Sequence, residues 1–189
     1  MGDQLSDSIS SLKDCDKDKD VILMCEVWDE ATYVKHHKKK IAFIFSAMRH
    51  FAKMLKQKGY KVEYVKLDAP SNSGSLKGEA KRMLKKHSLK NLIVTHPSEY
   101  RVLKDIRSLK NKSSVSVEIR EDDRFLCTPK EFADWAGNRK QLRMEYFYRE
   151  MRKKHDILMT GNKPIGGKWN YDSENRKIPK KGLSVPSPY

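Results

Sequence analysis

The sequence predicts an α/β fold in which helices cover both faces of a parallel sheet. Short apolar runs alternate along the chain with longer stretches whose apolar residues fall at helical spacing. Two of the runs, Val21–Cys25 and Leu92–Thr95, are continuous rather than alternating, which is typical of strands buried on both sides. Strands separated by helices at this rhythm indicate a doubly wound parallel sheet.

Four segments are predicted to form the strands of this sheet. Besides the two continuous runs, Lys61–Leu67 and Val115–Ile119 alternate with a period of two residues. We therefore expect Val21–Cys25, Lys61–Leu67, Leu92–Thr95 and Val115–Ile119 to pair in parallel.

The first helix is predicted between the first two strands, over about residues 40–58. Apolar residues from Ile41 to Leu55 fall at helical spacing, and Gly59 follows as a C-terminal glycine should. Phe43 and Ala47 widen the apolar stripe, so we expect this helix to be buried on more than one side.

Further helices are predicted over Glu79–His87 and from Pro97 to about Leu109. A later helix begins at Thr128–Glu131, where a threonine cap, a proline in the first turn and a glutamate three residues on form a capping box. Another helix spans Met144–Arg152. From about Gly161 the chain is aperiodic and rich in glycine, proline, asparagine and lysine.

These patterns divide the chain into three parts. Residues 1–125 form the sheet domain, and residues 126–160 form a helical extension of it. Residues 161–189 are expected to be an interdomain linker, because such a composition does not form a packed core.

The charge of the chain is large and unevenly placed. The 189 residues carry a formal net charge of +15, yet the first 34 residues hold nine acidic and three basic residues. A strongly basic remainder attracts polyanions, so we expect non-specific, electrostatic contact with DNA or RNA. A solvated basic surface without a dedicated partner is the alternative.

The cysteines and the N-terminus exclude several classes of protein. Cys15, Cys25 and Cys127 are far apart and odd in number, so neither a disulfide framework nor a cysteine metal site is expected. Cys25 lies in an apolar run and is interpreted as a buried small hydrophobe. No apolar run is long enough to span a membrane, and no secretory signal is present, so we expect a cytoplasmic location.

The segment after the first strand combines hydrogen-bond acceptors with aromatic rings. The acceptors are Glu26, Asp29 and Glu30, and the aromatics are Trp28 and Tyr33. Since ligands of such sheets bind beyond the carboxyl ends of the strands, this mixture suits a flat polar heterocycle. An ordinary acidic loop is the alternative.

Two other segments have open interpretations. For Gly2–Ser6 a turn is favoured over a ligand contact. His36–Lys40 fits an anion site or a solvated helix start equally well.

Aromatic and basic residues interleave on the helix after residue 144. Arg149, Arg152, Lys153 and Lys154 are the candidate nucleic-acid contacts, since such a helix can stack bases and bind phosphates. The same spacing also describes an apolar core face with a basic outer face. No phosphate loop, nucleophile elbow or zinc-protease motif occurs, so no catalytic residue and no metal ligand is assigned.

Several strings together resemble a known family. Gly2–Ser6, Glu30–Phe51, Met144–Arg152 and Gly166–Arg176 are similar, in the same order, to the N-terminal domain of deoxyribodipyrimidine photolyase-related proteins. These are the iron–sulfur bacterial cryptochromes and (6-4) photolyases. The resemblance covers essentially the whole chain, and the long central string is the specific part.

The resemblance implies a Rossmann-like antenna domain joined by a linker to a helical domain. In the family the helical domain holds FAD, an iron–sulfur cluster and the DNA lesion pocket, whereas the antenna domain of several members binds 6,7-dimethyl-8-ribityllumazine. Carried over residue by residue, the lumazine site implicates Asp3, Cys25, Glu30, Tyr33 and Ile44.

Two departures from the family pattern limit the expected function. Family members have an apolar first strand before the Gly2–Ser6 string, of which Met1 alone is expected to remain, and the FAD-binding helical domain is expected to be absent from this sequence. We therefore expect the antenna fragment of a flavoprotein for light-driven DNA repair or blue-light signalling, inactive alone. The alternatives are a stand-alone nucleotide- or nucleic-acid-binding module of Rossmann type, and a degraded remnant.

Overall fold

Apolar runs become strands and amphipathic stretches become helices in the computed structural model, which describes residues 2–110 and 115–187. Contacts between Cα atoms divide the chain into two compact units, Met1–Phe125 and Leu126–Tyr189. The first unit contains, in chain order, β1 (Ile22–Cys25), α1 (Trp28–Thr32), α2 (Lys38–Gln57), β2 (Val62–Val65), α3 (Leu76–Lys86), β3 (Asn91–Thr95), α4 (Tyr100–Lys110) and β4 (Ser116–Arg120).

The strands pair in parallel, as the sequence predicts. β1 pairs with β2 from Ile22 opposite Val62 onward, and β3 pairs with β4 from Asn91 opposite Ser116 onward. Parallel strands connected by helices give the predicted α/β, Rossmann-like fold.

Two separate strand pairs form, whereas the sequence predicts a single sheet. In the part of the chain that the structure describes, β1 and β3 are not hydrogen-bonded to each other. They are joined through the helices instead, because α3 packs against both strands and Leu23 shares an apolar cluster with Leu92 and Val94. Met1, interpreted as the remnant of the family's apolar first strand, lies outside the described residues.

Gln4 contacts the carboxyl end of β3. Its buried side chain donates from Nε2 to the carbonyl oxygens of Thr95 and His96, at 3.4 and 3.3 Å. Ser10 Oγ lies 2.9 Å from Thr95 Oγ1, and the Ser11 amide donates to the same oxygen at 3.0 Å. The segment before β1 thus supplies partners to polar groups that would otherwise be buried without any.

Helices cover both faces of the strand pairs. Because side chains alternate along a strand, Met24 and Leu23 of β1 point to opposite faces. Met24 packs against Leu55 of α2, which is fully buried. Leu23 packs on the other face against the cluster that contains Val102 and Ile106 of α4.

The long helix α2 matches the predicted helix, but its burial does not. It begins after His37, whose Nδ1 accepts a hydrogen bond from the Lys39 amide at 3.1 Å. Beyond its end, Gly59 has a φ of +88°, a left-handed conformation that favours glycine. The expectation that Phe43 helps to bury a second side is wrong, because its side chain is 72% exposed. A helix on one face of a sheet buries a single stripe, and Phe43 lies outside it.

The second unit is built from α5 (Pro129–Ala136) and α6 (Met144–Lys154). The ring centroid of Phe147 lies 5.3 Å from that of Phe132 and 5.0 Å from that of Trp135, so an aromatic cluster joins the two helices. The short antiparallel strands β5 (Met159–Thr160) and β6 (Lys163–Pro164) follow. A helical turn, α7 (Asp172–Asn175), comes next, and beyond it Ile178 and Val185 are 91% and 80% exposed.

The capping box at the start of α5 forms as predicted. Thr128 Oγ1 accepts from the Glu131 amide at 3.1 Å, and Glu131 Oε2 accepts from the Thr128 amide at 2.9 Å. Within the described ranges, no helix is long and apolar enough to cross a membrane.

Replacing Thr128 by Ala should destabilise α5 by about 1 kcal/mol, because it removes the side-chain oxygen that caps the helix. Hydrogen exchange of the α5 amides measures this loss. Thr128→Ser keeps the oxygen and should retain most of the protection. Equal protection in the Ala and wild-type proteins would contradict the capping role.

Candidate functional site

The carboxyl ends of β1 and β3 open onto one cavity of about 320 Å³. Cys25 and Val27 line it at the end of β1, and Ser98 and Glu99 line it after β3. Doubly wound proteins bind ligands beyond the carboxyl ends, where successive crossovers leave in opposite directions. The cavity lies at that point, and its volume suits a small molecule, since such sites span about 300–1,000 Å³.

All five residues implicated by the resemblance line this cavity. Asp3 comes from the N-terminal segment, Cys25 from β1, Glu30 from α1, Tyr33 from the turn after α1, and Ile44 from α2. The fold therefore gathers residues from the N-terminal segment to α2 around one space. Their role in binding a ligand stays a prediction.

Most of the cavity wall is apolar. The apolar lining residues are Val27, Ala31, Ile41, Ile44, Phe45, Met48, Leu76 and Val102. Such a surface suits the faces of a flat ring, because burying apolar area drives association.

Gly2 allows the N-terminal segment to pass close to α2. A Cβ atom at this position would lie 2.6 Å from Cγ2 of Ile44 and 3.4 Å from Sδ of Met48. The first distance is too short for a carbon contact, so a side chain here would displace Ile44 from the cavity wall. The Gly2–Asp3 pair, for which the sequence favours a turn, thus places Asp3 at the cavity.

Charged groups gather at one side of the cavity. Glu30 forms a bidentate ion pair with Arg101, with oxygen–nitrogen distances of 2.8 and 2.9 Å. Arg101 Nη2 also donates to Glu99 Oε2 at 3.1 Å, and the Tyr33 hydroxyl donates to Glu99 Oε1 at 3.1 Å. The hydrogen bonds that Arg101 donates to Glu30, and secondarily to Glu99, raise the pKa of Arg101. The hydrogen bond that Tyr33 donates to Glu99 raises the pKa of Tyr33.

Cys25 contributes a neutral thiol to the cavity. Its side chain is buried, as the sequence predicts, and this burial raises the pKa of Cys25 to about 12. The thiol is therefore protonated at neutral pH and serves as a small apolar group.

Three residues of the predicted acceptor–aromatic segment do not join the cavity. Trp28 and Asp29 are exposed on α1, outside the lining. Glu26 points to the opposite face from Cys25, because it is the next residue along the extended chain. Of the acceptors and aromatics in this segment, Glu30 and Tyr33 line the cavity.

Glu26 is instead the centre of a buried polar network. Its carboxylate accepts two hydrogen bonds from Arg49, at 2.6 and 2.8 Å, one from the Tyr64 hydroxyl at 2.6 Å and one from the Leu67 amide at 3.0 Å. Burial alone would raise the pKa of Glu26, but these bonds outweigh it and hold the pKa below its ordinary value.

The two adjacent histidines take different roles. His37 caps α2, as described above, whereas His36 lines the cavity. The His36 ring meets the Tyr33 ring edge-on at 5.4 Å, and its Nδ1 lies 3.3 Å from Lys40 Nζ. The structure thus separates a structural histidine from one at the candidate site.

Sequence reasoning missed Glu99 and Arg101. Both follow the strand Leu92–Thr95, and the carboxyl end of this strand shares an edge with that of Val21–Cys25. The predicted parallel sheet could have pointed to these two residues, because polar residues just after either strand reach the same crevice.

The four candidate nucleic-acid residues lie on α6, and their side chains contact other residues of the second unit. Arg152 is buried, donates from Nε to the carbonyl oxygen of Ile157 at 3.0 Å, and also bonds the Leu158 carbonyl. Its guanidinium thus holds the turn after α6.

The other three differ in their partners. Lys154 pairs with Glu131 and Arg149 with Glu145, while Lys153 Nζ lies 5.5 Å from the centre of the Trp169 ring. The guanidinium groups of Arg149 and Arg152 also lie over the Trp169 ring, at 5.6 and 5.3 Å from its centroid. Their contact with nucleic acid stays a prediction.

No group of three or more His, Cys, Asp or Glu side chains is placed to hold a metal ion in residues 2–110 and 115–187. The free thiols of Cys15, Cys25 and Cys127 lie apart from one another in the sequence.

Comparison with known proteins identifies relatives of the chain. The family described as deoxyribodipyrimidine photo-lyase-related protein matches residues 1–189. A protein named (6-4) photolyase from Agrobacterium fabrum is 50% identical over 186 residues, which make up 98% of this chain. The chain spans 37% of the length of that relative.

This chain covers a larger share of a second relative. An uncharacterized protein of Acanthamoeba polyphaga mimivirus is 29% identical over 158 residues, which cover 81% of this chain and 78% of the viral protein.

Replacing Glu26 by Gln should lower the free energy of unfolding at neutral pH by about 1–3 kcal/mol, because it removes the charge of a carboxylate that accepts four hydrogen bonds. Since the folded pKa of Glu26 lies below its ordinary value of 4.5, its contribution is present above that value and is lost as pH falls through the folded pKa. Wild type should therefore lose stability on acidification more steeply than Glu26→Gln.

Urea unfolding between pH 7 and pH 3 measures this difference. Asp29→Asn, on the exposed side of α1, is the matched control and should follow the wild-type curve. Parallel acid curves for wild type and Glu26→Gln would contradict the network.

Proposed function

The chain belongs to the deoxyribodipyrimidine photo-lyase-related protein family, and on that premise we propose that its first unit binds an antenna chromophore for a light-driven flavoprotein. The observation that carries the proposal is the convergence of Asp3, Cys25, Glu30, Tyr33 and Ile44 on one cavity. The proposed chromophore is 6,7-dimethyl-8-ribityllumazine, a flat heterocycle with a polyhydroxyl chain.

The two sides of the cavity suit the two parts of such a molecule. The apolar wall, with Ile44 and the Cys25 thiol, packs against the ring faces. Glu30 and Asp3 accept hydrogen bonds from ring N–H or ribityl hydroxyl groups. A carboxylate offers about four acceptor positions, and Arg101 uses two of those on Glu30, so acceptor capacity remains for a ligand.

The chemistry of light-driven repair or blue-light signalling is proposed for a longer protein. There, a helical domain with FAD and an iron–sulfur cluster would carry out the electron transfer and read the DNA lesion. The role proposed for this chain is to hold the pigment that passes excitation energy to the flavin. Its residues are assigned no catalytic step, and the FAD-binding domain is its proposed partner.

A second candidate function is a stand-alone module that binds nucleotides or nucleic acid without catalysis. The observation that favours it is the viral relative, because this chain covers 78% of that protein's length. A domain of this kind therefore occurs without the length of the Agrobacterium protein. Nucleotide titration separates the candidates, since a nucleotide that displaces lumazine at lower concentration would favour this second function.

Contact with DNA is proposed to be electrostatic and independent of sequence. The net charge of +15 supports it, and Arg149, Lys153 and Lys154 are its candidate contacts on α6. Arg152 contributes indirectly, because its buried guanidinium holds the neighbouring turn.

Titration of the protein with 6,7-dimethyl-8-ribityllumazine, followed by ligand fluorescence, tests the antenna site. Glu30→Ala removes a partly buried acceptor, which costs about 1–3 kcal/mol, and should weaken binding by roughly ten- to a hundredfold. Ile44→Trp should block the cavity sterically while leaving the circular dichroism spectrum unchanged.

Two matched controls lie beside these positions. Asp29→Ala removes a carboxylate from the exposed side of α1, and Phe43→Trp enlarges a side chain that points away from the cavity. Both should bind lumazine as wild type does. Equal affinity of all five proteins would mean that the pigment does not occupy this cavity.

Salt dependence of DNA binding tests the electrostatic proposal. Lys153→Gln should weaken binding to intact and UV-damaged duplex alike and should reduce the slope of log affinity against log salt by about 1. Lys19→Gln, in the acidic N-terminal part, is the control and should leave the slope unchanged. A strong preference for damaged duplex would contradict a purely electrostatic contact.

A further inference from the structure

Arg101 lies behind the polar side of the cavity rather than in its lining. It follows Tyr100, the first residue of α4, and its guanidinium makes a bidentate pair with Glu30 and a single hydrogen bond to Glu99. Glu30 and Glu99 both line the cavity, whereas Arg101 does not. The guanidinium therefore touches two groups that face the space.

The same guanidinium also faces the ring of Tyr33. Its central carbon lies 4.4 Å from the ring centroid, within the range of a cation–π contact. The Tyr33 hydroxyl in turn donates to Glu99 at 3.1 Å. Tyr33, Glu30 and Glu99 come from two distant parts of the sequence, and Arg101 contacts all three.

These contacts orient the Glu30 carboxylate and the Tyr33 ring more strictly than an isolated surface ion pair would. A guanidinium is planar and presents its donors in a fixed fork, so a bidentate pair sets the plane of the Glu30 carboxylate. The contact with the guanidinium and the hydrogen bond to Glu99 both restrict the position of the Tyr33 ring. Arg101 and Glu30 are also partly shielded from solvent, with 38% and 29% of their side chains exposed.

We propose that Arg101 is a positioning residue of the pigment site: it orients the acceptor Glu30 and the ring of Tyr33 toward the ligand without touching the ligand itself. The proposal rests on the proposed function for the identity of the ligand. The geometry of the Tyr33 contact is independent of it.

The orientation of Tyr33 can be measured without any ligand, through the pKa of its phenol. The groups that face Tyr33 are Glu99, Arg101, Glu30 and the His36 ring. Glu99 raises the pKa of Tyr33, whereas the charge of Arg101 lowers it. Arg101→Met therefore has opposite effects under the two explanations.

If Arg101 positions Tyr33, its loss lets the phenol leave Glu99, and the pKa of Tyr33 falls toward its ordinary value of 10.0. If Arg101 acts through its charge alone, its removal raises the pKa further. NMR of the full chain with isotope-labelled tyrosine measures the shift, and Tyr33→Phe assigns the resonance. Arg107→Met, an exposed arginine on the same helix, is the control and should change nothing.

The ligand arm uses 6,7-dimethyl-8-ribityllumazine. Arg101→Met should weaken its binding roughly tenfold or more and broaden the absorption band of the bound pigment at saturation, because the ring is no longer held in one orientation. Arg101→Lys restores the charge but not the fork and should recover only part of the affinity. In a protein that already carries Glu30→Gln, Arg101→Met should cause little further loss of lumazine affinity.

The outcomes are distinct for the two proposals. A fall in the pKa of Tyr33 together with weaker binding and a broadened band supports the positioning role. A rise or no change in that pKa, or unchanged binding and band shape, overturns it. A fall in that pKa in a protein whose wild type binds no lumazine supports the positioning of Tyr33 and overturns the proposed function alone.

Discussion

The shared direction of β1 and β3 is the constraint on which the first unit depends. Because the carboxyl ends of both strands meet at one edge, the segments that follow them, Val27–Tyr33 and Ser98–Arg101, are brought to the same crevice. The helices then complete the enclosure: α2 supplies an apolar wall, and α4 supplies Arg101 from its first turn. A reversed strand in either pair would place these groups at opposite ends of the fold.

The carboxylates of Glu26 and Glu30, close together in the sequence, serve two different purposes. Glu26 points to one face, where four hydrogen bonds from protein donors hold it ionised and buried. Glu30 lies beyond the strand at the cavity, where Arg101 uses part of its acceptor capacity. A carboxylate whose partners are all protein groups stabilises the fold, whereas one with open acceptor positions beside a cavity is available to a ligand. The same residue type thus serves structure at one position and the candidate site at the other.

The sequence alone predicts the features that depend on local periodicity. The strands, α2, the Gly59 end and the Thr128 capping box follow from spacing alone, because neighbouring residues determine them. Other features depend on how the elements pack, which periodicity does not encode. They include the side on which Phe43 lies, the face to which Glu26 points and the partners of Arg101. The gap between the strand pairs is of the same kind, since a pattern identifies strands but not their neighbours. The five cavity residues came from the resemblance, which carries such packing information from related proteins.

An antenna imposes a stricter requirement on its site than binding alone. Excitation transfer depends on the angle between donor and acceptor as well as on their distance, so a pigment that tumbles in its pocket transfers less than one that is held. An apolar wall of Ile44, Met48 and Val102 supplies affinity without direction, because the hydrophobic effect is non-directional. Direction has to come from hydrogen bonds and stacked rings whose own orientation is fixed. The contacts of Arg101 with Glu30 and Tyr33 are of that kind, which is why a residue outside the lining bears on the proposed function of the cavity.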